Sequence, residues 1–231
     1  MATPEYVFLD GKILKYDDAK IGVMTHGLNY GTGIFGGLRG YWNNDEHQLF
    51  VFRPLDHYQR FLNSSKLLRM SLPYTKETLT QATLDLIRKQ KYREDVYIRP
   101  LAFYGDEIIG VRLHNLTPRV AIAIVPFGQY IEKDGGTHVS ISSWRRVDDN
   151  IIPARGKISG AYVNSALAKS DAQLAGFDEA IVLDQSGHVS EGSAENIFII
   201  RNGVFATPPI TEKICCHAGD GIVCCTIPWV A

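Results

Sequence analysis

IPARGKISGAYVNSALAKSDAQLAGFDEAIVLD, residues 152–184, decides the fold. Lys157 stands among small residues just ahead of a helical stretch, SGAYVNSALAKSDAQLAG (159–176), for which Ser159 is a candidate N-cap and Gly176 a C-terminal stop. EAIVLD (179–184) then reads as a strand. THVSISS (137–143) precedes this unit as a strand. HVSEG (188–192), ENIFII (195–200) and GVFA (203–206) follow it as strands, with glycine turns at 187 and 203.

Toward the N-terminus, short strands give way to helices and return. YVFL (6–9) and ILKY (13–16) flank Asp10-Gly11, a hairpin signal; LRGYW (38–42) and QLFVF (48–52) flank a second turn at Asn43-Asn44-Asp45. Pro54 suits a first helical position, and Leu55, Tyr58, Phe61, Leu62, Ser65 and Leu68 follow helical spacing to about Arg69. A second helix runs from Lys76 to Gln90 with Leu79, Leu86 and Ile87 on one face. VYIRPLAFY (96–104) and RVAIAIVPF (119–127) are strands, and the glycine-rich stretch after them is the natural linker. The pattern is α+β with two sheet-based lobes, and a cleft between lobes is a favoured place for a ligand. The expected division is a small N-terminal α+β domain over 1–128, a linker over 129–136, part of a second domain over 137–212, and a divergent cysteine-rich tail over 213–231.

The composition narrows the function. The chain has 231 residues, 45% hydrophobic and 21% charged, with a net charge of −1, so it lacks the basic footprint of a nucleic-acid binder and favours a small-molecule site. No apolar run approaches a membrane span, and the N-terminal MATPEYVFLDGK has neither secretory nor transit character, so the cytoplasm is the expected location. The four cysteines, Cys215, Cys216, Cys224 and Cys225, are clustered near the end, unlike a disulfide framework. With His217 among them their spacing fits no zinc pattern, so no metal is expected.

Several residues carry chemistry. Gly31-Thr-Gly33-Ile-Phe-Gly36 spells a dinucleotide fingerprint, but its flanks lack the strand before and the helix after that such a site needs. A loop lining a site, with Tyr30 and Phe35 as walls, fits better. A lysine in an apolar, concave place loses its proton more easily, and a neutral amine condenses with aldehydes. Lys157, with Tyr162 five residues on, is a candidate for that role, although most lysines are simply exposed. SEGSAEN (190–196) supplies Glu191 and Glu195; a carboxylate aimed at a pyridine nitrogen keeps the ring electron-poor. Arg39, Arg60 and Arg99 offer guanidinium forks for phosphate or carboxylate, though each alone is commonly structural.

Together, DGKILKYDDAKIGVMTHGLNYGTGIFGGLRGY, VFRPLDHYQRFLNSSKLLRM, YIRPLAFYG, the 152–184 stretch and GHVSEGSAENIFIIRNGVFATPPIT resemble the fold-type IV pyridoxal-phosphate aminotransferases, and within them the branched-chain amino acid aminotransferases. The resemblance runs in order from about residue 6 to residue 212. It implies a two-lobed architecture with a small N-terminal lobe and an incomplete larger C-terminal one. The cofactor it implies is pyridoxal 5′-phosphate. The reaction it implies is ping-pong transamination between leucine, isoleucine or valine and 2-oxoglutarate. Lys157 matches the lysine that holds the cofactor and moves the proton, Tyr162 the tyrosine beside the cofactor's phenolic oxygen, Glu195 the carboxylate on the pyridine nitrogen, and Arg60 a phosphate ligand. Tyr30, Phe35, Gly37, Tyr97, Arg99 and Tyr130 match positions around the substrate. A homodimer or larger homo-oligomer is implied, with neither nucleic acid nor membrane as partner.

Two departures accompany the resemblance. Gly36 stands where branched-chain members carry glutamate. After TPPITE (207–212) the family's Gly-Ile-Thr phosphate-binding segment is replaced by KICCHAGDGIVCCTIPWVA. These leave two alternatives: a catalytically incompetent relative, or another fold-type IV enzyme such as a D-amino acid or amine transaminase or an aminodeoxychorismate lyase.

Overall fold

The computed structural model describes residues 3–128 and 136–209. They form two compact units that divide between residues 132 and 133. In the first, β1 (Tyr6–Leu9) and β2 (Lys12–Lys15) form a hairpin. Its turn residues Asp10 and Gly11 have φ of 47° and 88°. Two positive φ values in succession match the twist of the flanking strands, which is why Asp-Gly stands there. A short helix α1 (His26–Tyr30) ends at Gly31, whose φ is 64°. β3 (Gly33–Phe35), β4 (Leu38–Asn43) and β5 (Gln48–Val51) follow. Then come α2 (Pro54–Leu67), α3 (Lys76–Gln90), β6 (Val96–Tyr104) and β7 (Pro118–Pro126).

The long β6–β7 antiparallel ladder pairs Val96 with Pro126 through Tyr104 with Pro118, and the other strands assemble on it. The sheet order is β2-β1-β7-β6-β4-β5, with β3 also pairing β6. Alternation along β6 buries Val96, Ile98 and Pro100 and turns Tyr97 and Arg99 to the opposite face. α2 packs on β3, and α3 on β1 and β7. Ile34, Leu38, Tyr58, Phe61, Leu79, Leu86, Ile98, Ile122 and Ile124 are among the buried core residues of this unit. Thr75 caps α3 reciprocally with Thr78: its side chain accepts from the Thr78 N–H, and its own N–H donates to Thr78 Oγ1.

In the second unit β8 (Val139–Arg145) pairs in parallel with β9 (Glu179–Leu183), and β10 (Val189–Gly192) joins β9 antiparallel. The crossover between the parallel strands carries a 3-10 turn (Ser159–Ala161) and α4 (Tyr162–Leu174). α4 lies on β8 and β9. Ala168, Ala172, Ala180 and Val182 form the contact, and side chains this small let helix and strand approach closely. β11 (Ile199–Arg201) and β12 (Val204–Ala206) make a separate hairpin.

Several expectations shift. Ser159 does not cap α4: it opens the 3-10 turn, Ala161 is the N-cap, and no side chain caps the helix there. The strand expected over 195–200 begins only at Ile199, because residues 192–196 fold back as a turn. β3, inside the stretch read as a loop, and α1, just before it, escape sequence reading because they are only three and five residues long. That same local structure, a helix before the glycines and strands after them, is the reverse of a dinucleotide fingerprint's setting. Tyr130 and the cysteine-rich tail lie outside the described residues. Among the described residues no helix is long and apolar enough to cross a membrane.

Leu79 is fully buried between α3 and the sheet. Leu79→Ala is expected to cost about 2–5 kcal/mol, read as a lower urea midpoint at unchanged slope.

Candidate active site

The backbone turns tightly at Lys157. Gly156 N–H donates to Pro153 O at 3.1 Å and Ile158 N–H to Gly156 O at 2.9 Å, so Lys157 stands at the apex of a three-residue turn. The 3-10 turn then delivers Tyr162 as the first residue of α4. Lys157 Nζ donates to Tyr162 Oη at 2.6 Å and lies 5.2 Å from the ring centroid. Both are half-buried in the wall of a pocket that Arg146, Glu191, Ser193 and Glu195 also line.

Two carboxyls face this pocket in different electrostatic surroundings. Glu191, on β10, is buried and forms an ion pair with buried Arg146 at 2.6 Å. Glu195 sits at the end of the turn that follows. Burial lifts its carboxyl above the ordinary range, and the negative charge of Glu179 lifts it further. The Ala194 N–H and the Lys169 ammonium oppose this without cancelling it. Glu179 behaves the other way: burial pushes it up, but hydrogen bonds from Lys169, Ser193 and the Ala180 N–H bring its pKa below the usual value.

In the first unit, the exposed face of the β6 strand gathers four of the expected substrate residues. Arg99 lies over the rings of Phe35 and Tyr97, with its Cζ at 4.6 and 5.0 Å, and its Nη2 donates to Tyr97 Oη at 3.1 Å. Gly37 completes the group, since a Cβ there would stand 2.2 Å from Tyr97 Oη. Arg39, opposite Tyr97 in the ladder, is tied to Gly128 O at 3.0 Å. A side chain at Gly36 would point the other way, into Pro100 Cγ at 2.7 Å and toward Phe61. The departure from the family's glutamate therefore alters the inner side of the strand and leaves the Phe35–Tyr97–Arg99 surface as it is.

Tyr30 is tied to another segment: its hydroxyl accepts from the Gly110 N–H at 3.0 Å. Arg60, on α2, has its Nη2 3.4 Å from His57 Nδ1. Sequence reading missed Arg146, whose role depends on a partner 45 residues away, and His26. His26 is fully buried and bridges Thr32 Oγ1 at 2.7 Å and Gly110 O at 2.8 Å, fixing the loop that Tyr30 also holds. A fully buried histidine gives no periodic signal in so short a helix.

The parallel-crossover unit with a lysine-tyrosine pair at its helix start, and the aromatic-arginine surface of the other unit, match a known family. The model for amino-transferase class IV matches residues 33–215, and the chain belongs to this family. A probable branched-chain-amino-acid aminotransferase of Aquifex aeolicus is 48% identical over 210 residues, covering 91% of this chain and 68% of that protein. The branched-chain aminotransferase of Thermoproteus uzoniensis, solved with norvaline, superimposes with a TM-score of 0.88 at 42% identity, over 91% of this chain and 70% of that one. That of Thermobaculum terrenum, in its PLP form, gives 0.86 at 35% identity, over 93% and 70%. The α+β fold of fold-type IV aminotransferases is thus the fold of this chain.

The two adjacent glycines predict different failures. Gly36→Ala presses on the buried Pro100 ring and is expected to cost about 1–3 kcal/mol in a urea melt. Gly37→Ala meets only the tip of Tyr97 and should leave the melt nearly unchanged while displacing that hydroxyl.

A second prediction concerns pH. The folded state raises the Glu195 pKa, so the protonated acid stabilises the fold in full below the ordinary value of 4.5. That stabilisation is lost as pH climbs through the raised value. Glu179, depressed, contributes above its ordinary value and loses that contribution as pH falls through its folded one. Glu195→Gln should therefore flatten the fall in Tm on the alkaline side of 4.5 and leave the acid limb, set by Glu179, in place.

Proposed function

We propose that this chain transfers amino groups between a branched-chain L-amino acid (leucine, isoleucine or valine) and 2-oxoglutarate, by ping-pong chemistry on pyridoxal phosphate. The observation that carries this reading is the Lys157–Tyr162 hydrogen bond in the wall of a pocket shared with the Glu191–Arg146 pair. These groups fit the cofactor: an amine for its aldehyde, a phenol beside that amine, and a paired carboxylate for a ring nitrogen. When bound, pyridoxal phosphate supplies an aldehyde conjugated to an electron-withdrawing ring.

The chain's own residues do the rest. Tyr162 fixes the rotamer of Lys157, so its Nζ is placed to carry a proton to and from the substrate's Cα. The resemblance gives the ring-nitrogen role to Glu195. The electrostatics favour Glu191: a pyridinium needs a charged acceptor, and Glu191 brings a negative charge held by Arg146, whereas Glu195 is pushed toward its neutral form. Phe35 and Tyr97 offer apolar faces to an aliphatic side chain, and the Arg99 guanidinium suits a substrate carboxylate. Arg60 is retained as a phosphate ligand, and Gly37, Tyr30 and Tyr130 as substrate neighbours, on the family pattern. The same pattern supports a homo-oligomer in the cytoplasm. A branched-chain amino acid aminotransferase solved in complex with N-(5′-phosphopyridoxyl)-L-glutamate, 38% identical to this chain, supports glutamate as the second amino donor.

The test is absorbance of the purified protein after pyridoxal phosphate is added and the excess removed. A visible band is expected in the parent and not in Lys157→Ala, whose turnover should drop roughly 10²–10⁴-fold. Leucine should bleach the band and D-alanine should not. Bleaching by D-alanine or a simple amine would move the assignment to another fold-type IV activity, and no band at all in a folded protein would mark an incompetent relative. Glu191→Gln should lower kcat roughly 10²-fold, and Glu195→Gln by less.

A further inference from the structure

Behind the pocket wall lies a charged cluster that transamination as described does not use. Lys169, on α4, donates from Nζ to Glu179 Oε2 on β9. The other oxygen of Glu179 accepts from the Ala180 N–H at 2.7 Å, and Ser193 adds a side-chain hydrogen bond. Glu179 is only 6% exposed. The Glu195 carboxyl lies within hydrogen-bonding reach of it. Glu195 Oε2 accepts from the Ala194 N–H at 3.0 Å, while Oε1 is buried and, among the described residues, receives no hydrogen bond. Two carboxylates that close, away from water, repel; one proton between them turns repulsion into a hydrogen bond. Lys169 draws Glu179 toward its charged form, while burial and the Glu179 charge push Glu195 toward its neutral one.

The turn that carries Glu195 is wrapped around this contact. Gly192 N–H donates to Glu195 O at 2.7 Å, and a Cβ at Gly192 would stand 2.8 Å from Glu195 Oε2. The residues of that turn, with Glu191 immediately before it, form one wall of the pocket. We propose that Glu179 and Glu195 share one proton across a carboxyl–carboxylate hydrogen bond anchored by Lys169, and that Lys169 and Glu179 are thereby positioning residues for the 191–196 wall of the cofactor pocket. This rests on the reading that the pocket takes pyridoxal phosphate. The charged and titratable groups facing Glu195 are Glu179 from β9 and Lys169 from α4, with Arg146, Lys157, Tyr162 and Glu191 around the same pocket.

The experiment is infrared spectroscopy of the full chain without cofactor, followed by a pH titration of the visible band after loading with pyridoxal phosphate. The parent should show the carbonyl stretch of a protonated carboxylic acid at neutral pH, and Glu195→Gln should lack it. Glu179→Gln removes the neighbouring charge, so the acid band should titrate at lower pH. Lys169→Met removes the cation that keeps Glu179 ionised, so the band should persist to higher pH. The midpoint of the loaded protein's visible band should move in the two variants, and Glu179→Asp should restore it toward the parent. A parent with no protonated acid at neutral pH overturns the proposal, as does a loaded band whose titration is the same in every variant. The opposite shifts mean that either variant alone suffices if the other fails to fold. An acid band that obeys the substitutions in a protein that takes up no pyridoxal phosphate overturns the pocket reading, and with it the positioning role.

Discussion

The close packing of α4 on the β8–β9 pair is the constraint on which the second unit depends. Alanines at 168, 172 and 180 leave no bulk between helix and strand, so the helix has one seat. That seat fixes Tyr162 at the helix start, Lys157 on the turn before it, and Lys169 two turns further along, opposite Glu179. A larger side chain in this contact would lift the helix and move all three at once. The pocket's chemistry is thus tied to the least conspicuous residues in the chain.

The charges in this unit are arranged by pairing. Buried Arg146 and buried Glu191 neutralise each other, and Lys169 does the same for Glu179. Breaking such a pair strands a buried charge, which is costly, so each partner holds the other's backbone segment in place. Glu195 has no cation of its own among these pairs. Burial and the charge of Glu179 push its carboxyl toward the neutral form, whereas Glu191 faces the Arg146 guanidinium. Two glutamates four residues apart in sequence thus meet different neighbours.

The first unit contributes a surface of another kind. Its helices cover one side of the sheet, and β6 alternation sends Tyr97 and Arg99 to the other. Phe35, Tyr97 and Arg99 stack there, with Gly37 bare beneath the Tyr97 hydroxyl. Gly36 and Gly37 are neighbours with opposite duties, one admitting a core proline and the other a phenol, because successive residues of an extended chain face opposite ways.

Much of this was legible in the order of residues. Helices α2 and α3 are written in helical spacing, the β1–β2 hairpin in Asp10-Gly11, and β6 and β7 in long β-rich runs, because these signals are local and repeat. The lysine-tyrosine pair was legible too, since five residues and a helix start suffice to bring them together. The short α1 and β3 were not, because their conformation is set by neighbours: the buried His26 bridge holds one and pairing with β6 holds the other. Nor could sequence reading rank Glu191 against Glu195. Both are glutamates in one turn-forming stretch, and their difference comes from Arg146, Glu179 and Lys169, which the sheet and α4 bring in from far along the chain. Sequence determined which groups this protein carries and the local frames that hold them; tertiary structure decided which are charged and which face each other, because burial and pairing act through space.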